Sequence, residues 1–239
     1  MTPNTEINTD LLPSLYFINL SDRKDRYEEI TNELSRIKYP ENKITRIDAI
    51  KTENGHKGCL ASHVKALKLA YNTNEEYSFI LEDDALFHPN YKICLNTILY
   101  NLKLNNWNVL ILDCGGIKEC GKISENKKKR FKTKGCQRST GYIIKNDYIP
   151  TLLSVWEPLI GINNWNNSNH AADQSWKILQ DETWIIVTPK ILTQRDSYSS
   201  IEHITANNNE GFKDCIPSPP KLSPPELELA QHKMTNMLS

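Results

Sequence analysis

Three consecutive carboxylates, Glu82, Asp83 and Asp84, follow a short apolar segment at residues 78–81. The segment has the length and composition of a buried strand, so the acids stand where that strand ends. Side chains of an extended chain alternate between two faces, which would place Glu82 and Asp84 on one face and Asp83 on the other. Two convergent carboxylates suit Mg²⁺ or Mn²⁺, whose other ligands come from water and from the phosphates of a substrate. The alternative is a solvated acidic turn, because adjacent like charges repel one another unless a cation compensates them.

Strand and helix signals alternate along the rest of the chain. Besides the strand before the acids, strands are expected at residues 15–19, 44–47, 107–112 and 140–144. Two helical stripes of larger side chains follow the first two strands, namely Tyr27, Ile30, Leu34 and Ile37, then Leu60, Val64, Leu67 and Tyr71. This alternation favours an α/β fold, in which ligands bind at the carboxyl ends of the strands. The three acids would then lie at the ligand-binding edge of the sheet.

The length and charge of the chain limit the classes of function. The 239 residues suffice for one main domain with a buried core. The 29 basic and 29 acidic residues cancel, so no net charge draws the chain to nucleic acid or to an anionic membrane. The polar segment Lys118–Gly135 contains a basic run at residues 127–130 and is expected to be a mobile, solvated loop. The alternative for this segment is a basic lid that closes over an anionic substrate.

The cysteines, the polar N-terminal residues and the lack of a long apolar segment predict a cytoplasmic protein. The six cysteines have neither zinc-site spacing nor the density of a small secreted disulfide scaffold, so reduced thiols are expected. Residues 1–10 are polar, unlike a signal peptide, and no segment approaches the roughly 20 apolar residues that span a bilayer. We expect an N-terminal extension at residues 1–13, the main domain at 14–215 and a Pro-rich tail at 216–239.

Several short motifs follow one another in order between about Leu15 and Ile201. They are Phe17-Ile-Asn-Leu20 with Arg23 and Arg26, Gly58-Cys-Leu-Ala-Ser-His63, Phe79-Ile-Leu-Glu-Asp-Asp-Ala85, Trp107–Leu112, Gly141-Tyr-Ile-Ile144, Ala172-Asp173, and Thr188-Pro189 leading to Gln194 and Ser199-Ser-Ile201. In this order they resemble glycosyltransferase family 25, which includes lipooligosaccharide and collagen hydroxylysine galactosyltransferases. A Glu-Asp-Asp run after a strand occurs in many glycosyltransferases, so the ordered set carries the resemblance.

The resemblance implies a GT-A type fold, with a central mixed, mostly parallel sheet flanked by helices. It also implies transfer of a hexose, galactose or glucose, from a UDP-sugar to a hydroxyl of a glycan or protein-linked acceptor, with inversion. Mn²⁺ or Mg²⁺ is the implied cofactor, because a cation stabilises the charge that develops on the departing diphosphate. Asp84 is the implied metal ligand and Glu82 the second, unless Glu82 contacts the ribose or a bound water. His203, near the end of the matched region, is the candidate that completes the metal shell.

Inversion requires a base that takes the proton of the acceptor hydroxyl. Asp173 matches the downstream acidic position of the family and is the implied base, with a helix-capping residue as the alternative. Asp113 and Glu202 are weaker candidates for the same role.

The resemblance also implies a set of contacts to the donor. These are Asn19, Leu20, Arg23, Arg26, Ser62 and Asp83. For Arg26 a surface ion pair with Asp22 or Glu29 fits equally well. His63 borders a helical apolar stripe, which favours a structural, hydrogen-bonded histidine over a ligand. The tryptophans that offer either a sugar-stacking surface or core packing are Trp156, Trp165, Trp176 and Trp184.

Two other classes of function stay open at this point. One is a catalytically inactive nucleotide-sugar or carbohydrate-binding protein of the same fold. The other is a metal-dependent phosphohydrolase, which the sequence supports poorly because it shows no second carboxylate–histidine cluster. The expected partners are a nucleotide-sugar donor and a glycan or glycoprotein acceptor, without nucleic acid, and the oligomeric state is open. We expect the protein in the cytoplasm, either free or peripheral to a membrane or a glycan assembly site.

Overall fold

The computed structural model describes residues 7–115, 119–125 and 128–196. Its strands are β1 (Ser14–Asn19), β2 (Ile44–Asp48), β3 (Tyr77–Glu82), β4 (Ala85–Phe87), β5 (Val109–Ile111), β6 (Glu119–Glu125), β7 (Lys128–Lys134), β8 (Gly141–Lys145), β9 (Trp184–Ile186) and β10 (Leu192–Gln194). Its α-helices are α1 (Lys24–Arg36), α2 (Gly55–Tyr71), α3 (Tyr91–Leu102), α4 (Ile149–Ile160), α5 (Asn167–His170) and α6 (Ala172–Ser175). Short 3₁₀ segments lie at Thr9–Leu11, Glu41–Lys43, Asn146–Tyr148 and Trp176–Leu179.

The main sheet has eight strands in the order β2-β1-β3-β8-β5-β9-β7-β6. β1 is parallel to β2 and β3, and β5 is parallel to β9. β8 is antiparallel to β3 and β5, and β7 is antiparallel to β9 and β6. In this sheet β8 and β7 therefore run against the other strands, which share one direction. The α/β fold of the GT-A type that was predicted from the sequence, with a mixed, mostly parallel sheet flanked by helices, is confirmed.

Alternate residues of the central strands supply two separate cores. Ile80 of β3 packs in a cluster with residues of α2 and α4, whereas Phe79 and Leu81 pack in a second cluster with residues of α1 and α3. A strand that is buried on both faces needs a continuous apolar run, and residues 79–81 provide it. Because β1 and β3 are parallel and Ile18 pairs with Glu82, their carboxyl ends meet at one edge. This edge carries the acidic motif.

A small second sheet holds the chain that leaves the acidic motif. β4 pairs antiparallel with β10, so that Ala85 lies opposite Gln194. The backbone N–H of Arg195 donates a hydrogen bond to the carbonyl of Asp84 at 2.7 Å. These contacts fix the backbone immediately after the three acids, so the turn between β3 and β4 is constrained from both ends.

The polar segment that we expected to be a loop contains a β-hairpin instead. β6 and β7 pair from Glu119↔Lys134 to Glu125↔Lys128, and β7 joins the main sheet through a pairing with β9. The ladder hydrogen bonds of a hairpin come from the backbone. A strand of charged residues therefore escapes a prediction that relies on apolar patterns.

Two expectations about single side chains are also wrong. Cys114 and Cys136 form a disulfide, with their Cα atoms 5.8 Å apart, although we expected reduced thiols. The fold brings together the end of β5 and the segment after β7, which the spacing of the cysteines in sequence does not show. In addition, Tyr27 and Tyr71 are 42% and 50% exposed, although both belong to the predicted helical stripes. A phenol can keep its hydroxyl in water at the border of such a stripe.

Some predictions fall on residues that the structure does not describe. His203 and Glu202 lie beyond residue 196, as does the Pro-rich tail. The domain boundaries at residues 13 and 215 therefore stay predictions. Among the described residues, no helix has both the length and the apolar character required to cross a membrane.

Gly58 allows α2 to pack against the segment that precedes it. A Cβ atom at this position would lie 2.5 Å from the carbonyl oxygen of Ile50 and 3.0 Å from Oγ1 of Thr52. Alanine normally stabilises a helix interior by about 1 kcal/mol relative to glycine. We expect Gly58→Ala to lower the free energy of unfolding by about 1 kcal/mol or more, since the backbone must move. Urea unfolding measures this change.

Gly161→Ala is the matched control. A Cβ atom there would meet its nearest neighbour, the carbonyl oxygen of Pro158, at an ordinary 3.8 Å. Its free energy of unfolding should stay within about 0.5 kcal/mol of the wild-type value. Equal stabilities of the two variants would contradict the close approach at Gly58.

Candidate active site

Asp83 ties the acidic turn to the rest of the protein. Its Oδ2 accepts a hydrogen bond from Nδ2 of Asn19 at 2.7 Å, and its Oδ1 accepts one from Nη1 of Arg26 at 2.9 Å. Asp83 is only 8% exposed, so both contacts are shielded from water. Burial raises the pKa of Asp83, and the charge of Arg26 opposes that rise. Asp83 therefore serves as the internal link between β1, α1 and the turn.

Asp84 presents an oxygen that has no partner. Nη1 of Arg26 lies 3.4 Å from its Oδ2, whereas its buried Oδ1 has no hydrogen-bond partner among the described residues. Burial, followed by the negative charge of Glu82, raises the pKa of Asp84 to about 8. A buried carboxylate oxygen without a donor is destabilised unless a proton or a cation reaches it. Asp84 is therefore a suitable ligand for a divalent cation.

The alternation expected for the three acids ends at Glu82. Glu82 is the last residue of β3, and the next two residues form a turn. Asp83 and Asp84 consequently approach the same nitrogen of Arg26 instead of facing opposite sides. The expectation that Asp83 points away from Asp84 is wrong for this reason. The turn brings more negative charge to one place than an extended chain would.

Glu82 belongs to a hydrogen-bonded chain that starts in the core. Its Oε1 accepts a hydrogen bond from Oγ of Ser139 at 2.6 Å and lies 3.1 Å from Nε2 of His63. Nδ1 of His63 lies 3.2 Å from the hydroxyl of Tyr142. Burial acts to raise the pKa of Glu82, but the contacts to His63 and Ser139 outweigh it and lower the pKa overall. The interpretation of His63 as a buried, hydrogen-bonded histidine is confirmed, and it also contacts the acidic motif.

Asp173 lies close to the acidic motif although it is far from it in sequence. Burial raises the pKa of the Cys59 thiol well above its usual range, and the charges of Glu82, Asp173, Asp84 and Asp83 add to the rise. The hydrogen bonds agree with this proximity, because the backbone N–H of Arg138 donates to Asp173 and the next residue, Ser139, donates to Glu82. Asp173 is partly exposed, which leaves it accessible to a substrate.

The helix-capping alternative for Asp173 is wrong. The N-cap of α6 is Ala171, and Asp173 stands in the first turn. Its Oδ2 accepts a hydrogen bond from the backbone N–H of Arg138 at 3.1 Å, outside its own helix. Its other oxygen accepts no hydrogen bond within the described part of the chain. Asp173 is thus held by one oxygen and offers the second.

Asp113 occupies a different environment. It is fully buried, with its Oδ1 3.1 Å from Nζ of Lys190 and 3.6 Å from Nη1 of Arg138. Burial raises the pKa of Asp113, and the charge of Lys190 opposes this. Asp113 is enclosed by the protein and engaged by two cations, whereas Asp173 is partly exposed and can be reached by an acceptor hydroxyl. Sequence reasoning missed Arg138 and Lys190, since neither stands in an acidic run or an apolar stripe.

The predicted donor contacts divide into buried supports and accessible residues. Asn19 is 1% exposed and, besides Asp83, contacts the carbonyl of Arg23 and the guanidinium of Arg46. The Ser62 hydroxyl is enclosed by the protein, because it accepts from the N–H of Ile50 and donates to the carbonyl of Gly58. Neither side chain is placed to receive a donor directly.

Arg26 and Arg23 differ in the same way. Arg26 is 9% exposed and pairs with Asp83 and Asp84, whereas its alternative partner Asp22 pairs with Lys51. Arg23 pairs with the exposed Asp25 at 2.7 Å and lies in the turn that begins at Leu20. Leu20 and Arg23 are partly exposed at the carboxyl end of β1. They are the predicted donor contacts that a nucleotide could reach.

Core packing is confirmed for most of the tryptophans. Trp156, Trp176 and Trp184 are fully buried in one cluster. Trp165 is partly exposed, and its ring nitrogen donates to Asn167 at 2.7 Å. A sugar-stacking role therefore stays a prediction for Trp165.

Comparisons with known proteins agree with this arrangement. The model of glycosyltransferase family 25, described as an LPS biosynthesis protein, matches residues 53–176, more than half of the chain. That range includes Cys59, His63, the acidic motif and Asp173. No curated protein matches the chain in sequence.

Several solved structures are similar over most of the chain. A glycosyltransferase involved in the glycosylation of the major capsid of PBCV-1 is 10% identical, with a TM-score of 0.47, over 74% of this chain and 83% of that one. The mannosyltransferase PcManGT from Pyrobaculum calidifontis, in complex with GDP-Man and Mn²⁺, is 12% identical, with a TM-score of 0.37, over 78% of this chain and 60% of that one. The glycosyltransferase GlyE of Streptococcus pneumoniae TIGR4 is 10% identical, with a TM-score of 0.39, over 73% of this chain and 44% of that one. With TM-scores below 0.5, none of them has a bearing on the substrate of this chain.

The acidic motif lies at the carboxyl ends of the strands, the edge at which α/β proteins generally bind their ligands. The family match makes the class specific. The chain belongs to glycosyltransferase family 25 and is a glycosyltransferase.

The raised pKa of Asp84 gives the metal-free protein a defined pH dependence. The ordinary pKa is 3.8 and the folded value is about 8, so between these values the unfolded chain loses a proton that the folded protein keeps. Stability therefore falls as the pH rises through this range. An asparagine side chain cannot ionise, so Asp84→Asn should remove this fall and raise the free energy of unfolding by about 1–3 kcal/mol near pH 8. Urea unfolding in EDTA at several pH values measures it.

Asp25→Asn is the control for removal of one acidic charge. Asp25 is exposed, and its hydrogen bond from Arg23 lowers its pKa to about 2. This variant should keep the wild-type slope of stability above about pH 5. If Asp84→Asn also kept that slope, the burial of an unpartnered carboxyl at residue 84 would be wrong.

Proposed function

We propose that this glycosyltransferase is metal-dependent and inverting, and that it moves galactose or glucose from a UDP-sugar to a hydroxyl of a glycan or protein-linked acceptor. The observation that carries the proposal is that the adjacent residues Arg138 and Ser139 hold Asp173 and Glu82, next to Asp84, whose buried Oδ1 has no hydrogen-bond partner among the described residues. This arrangement joins the acids suited to a cation and an acid suited to proton transfer in one site.

Asp84 is the proposed ligand for Mn²⁺ or Mg²⁺. Its unpartnered Oδ1 is an oxygen donor of the type these ions prefer. Glu82 is the proposed second contact, through a water or the ribose, because its Oε1 is already engaged by Ser139 and His63. A bound divalent cation would supply positive charge at the departing diphosphate. Asp83 and Arg26 hold the turn in place, and His203 stays a predicted further ligand.

Asp173 is the proposed general base. Arg138 fixes one of its carboxylate oxygens through a backbone N–H at 3.1 Å, which leaves the other oxygen to accept the proton of the acceptor hydroxyl. The base must take that proton while the hydroxyl attacks the anomeric carbon from the face opposite the diphosphate. Leu20 and Arg23 are the proposed contacts at the nucleotide end of the donor.

Donor use tests the proposal directly. Purified protein with Mn²⁺ should release UDP from UDP-galactose or UDP-glucose, and UDP with Mn²⁺ should raise its melting temperature. Asp84→Ala should abolish both effects while keeping the fold, because Asp84 is in a turn and not in the core. Malachite-green detection of released UDP after phosphatase treatment and differential scanning fluorimetry provide the two readouts.

The outcomes separate the proposal from its alternatives. Saturable UDP-sugar binding without UDP release would instead support a binding protein of the same fold. Phosphate release from simple esters would support the phosphohydrolase. Full activity in Asp84→Ala would remove the metal assignment.

The base assignment has its own test. Asp173→Asn keeps the shape of the side chain and the acceptor for the Arg138 N–H, but it cannot take a proton. We expect kcat to fall about 10²-fold or more with nearly unchanged donor affinity. Gln174→Ala, at the neighbouring position of the same helix, is the control and should retain kcat. Normal turnover with a large loss of donor affinity in Asp173→Asn would contradict the role of base.

A further inference from the structure

Three residues next to the acidic motif form a cluster of a different chemical type. They are Cys59, His63 and Glu82, and their sulfur, ring-nitrogen and carboxylate-oxygen atoms all lie within 4.8 Å of one another. Cys59 and His63 are separated by one turn of α2 and so share a face of that helix, while Glu82 ends β3. A thiolate, an imidazole and a carboxylate are the mixed ligand types that Zn²⁺ accepts.

The spacing within the cluster suits a tetrahedral ion. Bonds of about 2.0–2.3 Å place neighbouring ligand atoms about 3.3–3.7 Å apart around Zn²⁺. Nε2 of His63 and Oε1 of Glu82 already lie 3.1 Å apart, so an ion could replace the proton between them. The Cys59 sulfur lies no more than 4.8 Å from the other two ligand atoms, so a side-chain rotation that moves it by about 1 Å is sufficient.

Outer contacts support these ligands. Nδ1 of His63 lies 3.2 Å from the Tyr142 hydroxyl, which can orient the ring so that Nε2 faces the ion. Oγ of Ser139 donates to Glu82 at 2.6 Å. A metal-binding histidine and carboxylate commonly have such partners, which keep them oriented towards the ion.

The surroundings of Cys59 favour a cation. The Glu82 carboxylate lies within 4.8 Å of its sulfur, and a negative charge at that distance attracts a positive ion. As a whole residue Cys59 is partly exposed, whereas Cys94, which is also a free thiol, is buried. A bound ion stabilises the thiolate directly and so offsets the free energy needed to remove the proton from the thiol.

We propose that Cys59, His63 and Glu82 form a binding site for a thiophilic divalent cation, with Zn²⁺ as the best fit. Three protein ligands leave the fourth position of a tetrahedral ion open, and His63 and Glu82 are hydrogen-bonded to each other without it. We therefore expect the ion to bind reversibly, and we expect the protein to fold without it. The site shares Glu82 with the proposed site at Asp84, but its other two ligands, Cys59 and His63, belong to α2, and its test does not depend on the proposed sugar transfer.

Cobalt tests the site by spectroscopy, because a thiolate bound to Co²⁺ gives a charge-transfer band in the near ultraviolet. One equivalent of Co²⁺ added to the reduced full chain should produce that band, and Zn²⁺ should displace it. Cys59→Ser should lose the band and weaken Zn²⁺ binding about 10²-fold or more. His56→Ala, which removes another histidine of α2 outside the cluster, should keep both. A wild-type protein without the band, or a band that survives in Cys59→Ser, overturns the proposal.

A second measurement uses the wild-type protein and so does not depend on how a variant folds. Zn²⁺ should slow the alkylation of Cys59 by iodoacetamide about tenfold or more, whereas Mg²⁺ should not, because a metal-bound thiolate is withheld from the reagent. Peptide mass spectrometry reads the modification at Cys59 alone. Equal alkylation with and without Zn²⁺ overturns the proposal. Neither readout uses a nucleotide sugar, so a failure of UDP binding would refute the proposed function and leave this site standing.

Discussion

The repulsion among the three adjacent carboxylates Glu82, Asp83 and Asp84 is the constraint on which the structure depends. At an effective dielectric constant of about 20, two unit charges 4 Å apart interact by about 4 kcal/mol. Arg26 offsets part of this repulsion, since one of its nitrogens contacts both Asp83 and Asp84. The raised pKa of Asp84 shows that compensation is incomplete in the metal-free protein. A charge imbalance of this kind has a purpose where a cationic ligand completes the site, and it is a pure loss of stability elsewhere.

The two aspartates of the motif divide the work because their environments differ. Asp83 has a hydrogen bond from Asn19 and one from Arg26, so its negative charge is satisfied inside the protein. Asp84 shares Arg26 at the longer distance of 3.4 Å and keeps one oxygen without a donor. Asp83 holds the backbone of the turn and must keep its hydrogen-bond partners during a reaction. A metal ligand such as the one proposed at Asp84 needs an oxygen that is available to coordinate the ion. The same residue type in adjacent positions therefore supplies a fixed support and an available ligand.

The sequence predicted the parts of the site that local patterns determine. An apolar strand that ends in acids predicts Glu82 at the ligand-binding edge of the sheet, because the strand and the acids lie within a few residues of each other. The contact of Glu82 with His63 of α2 spans 19 residues and was not predicted. Arg26 pairs with residues 57 and 58 positions away, and its partners depend on how α1 packs on the sheet. The two cations around Asp113 are set by the same kind of long-range packing. The hairpin of β6 and β7 was not predicted for another reason: its strands pair through backbone hydrogen bonds, and these leave no apolar pattern in a charged segment.

His63 shows how a core residue can shape chemistry at the surface of the sheet. The ring is fully buried, stacks on Tyr142 and meets Trp156 edge to face. This packing fixes the direction of Nε2, and the contact with Glu82 at 3.1 Å then fixes the carboxylate. The contact with His63 lowers the pKa of Glu82 while that of Asp84, two residues later, rises. Two carboxyl groups of one motif thereby hold different protonation states near neutral pH, and the difference originates in the aromatic core beneath them.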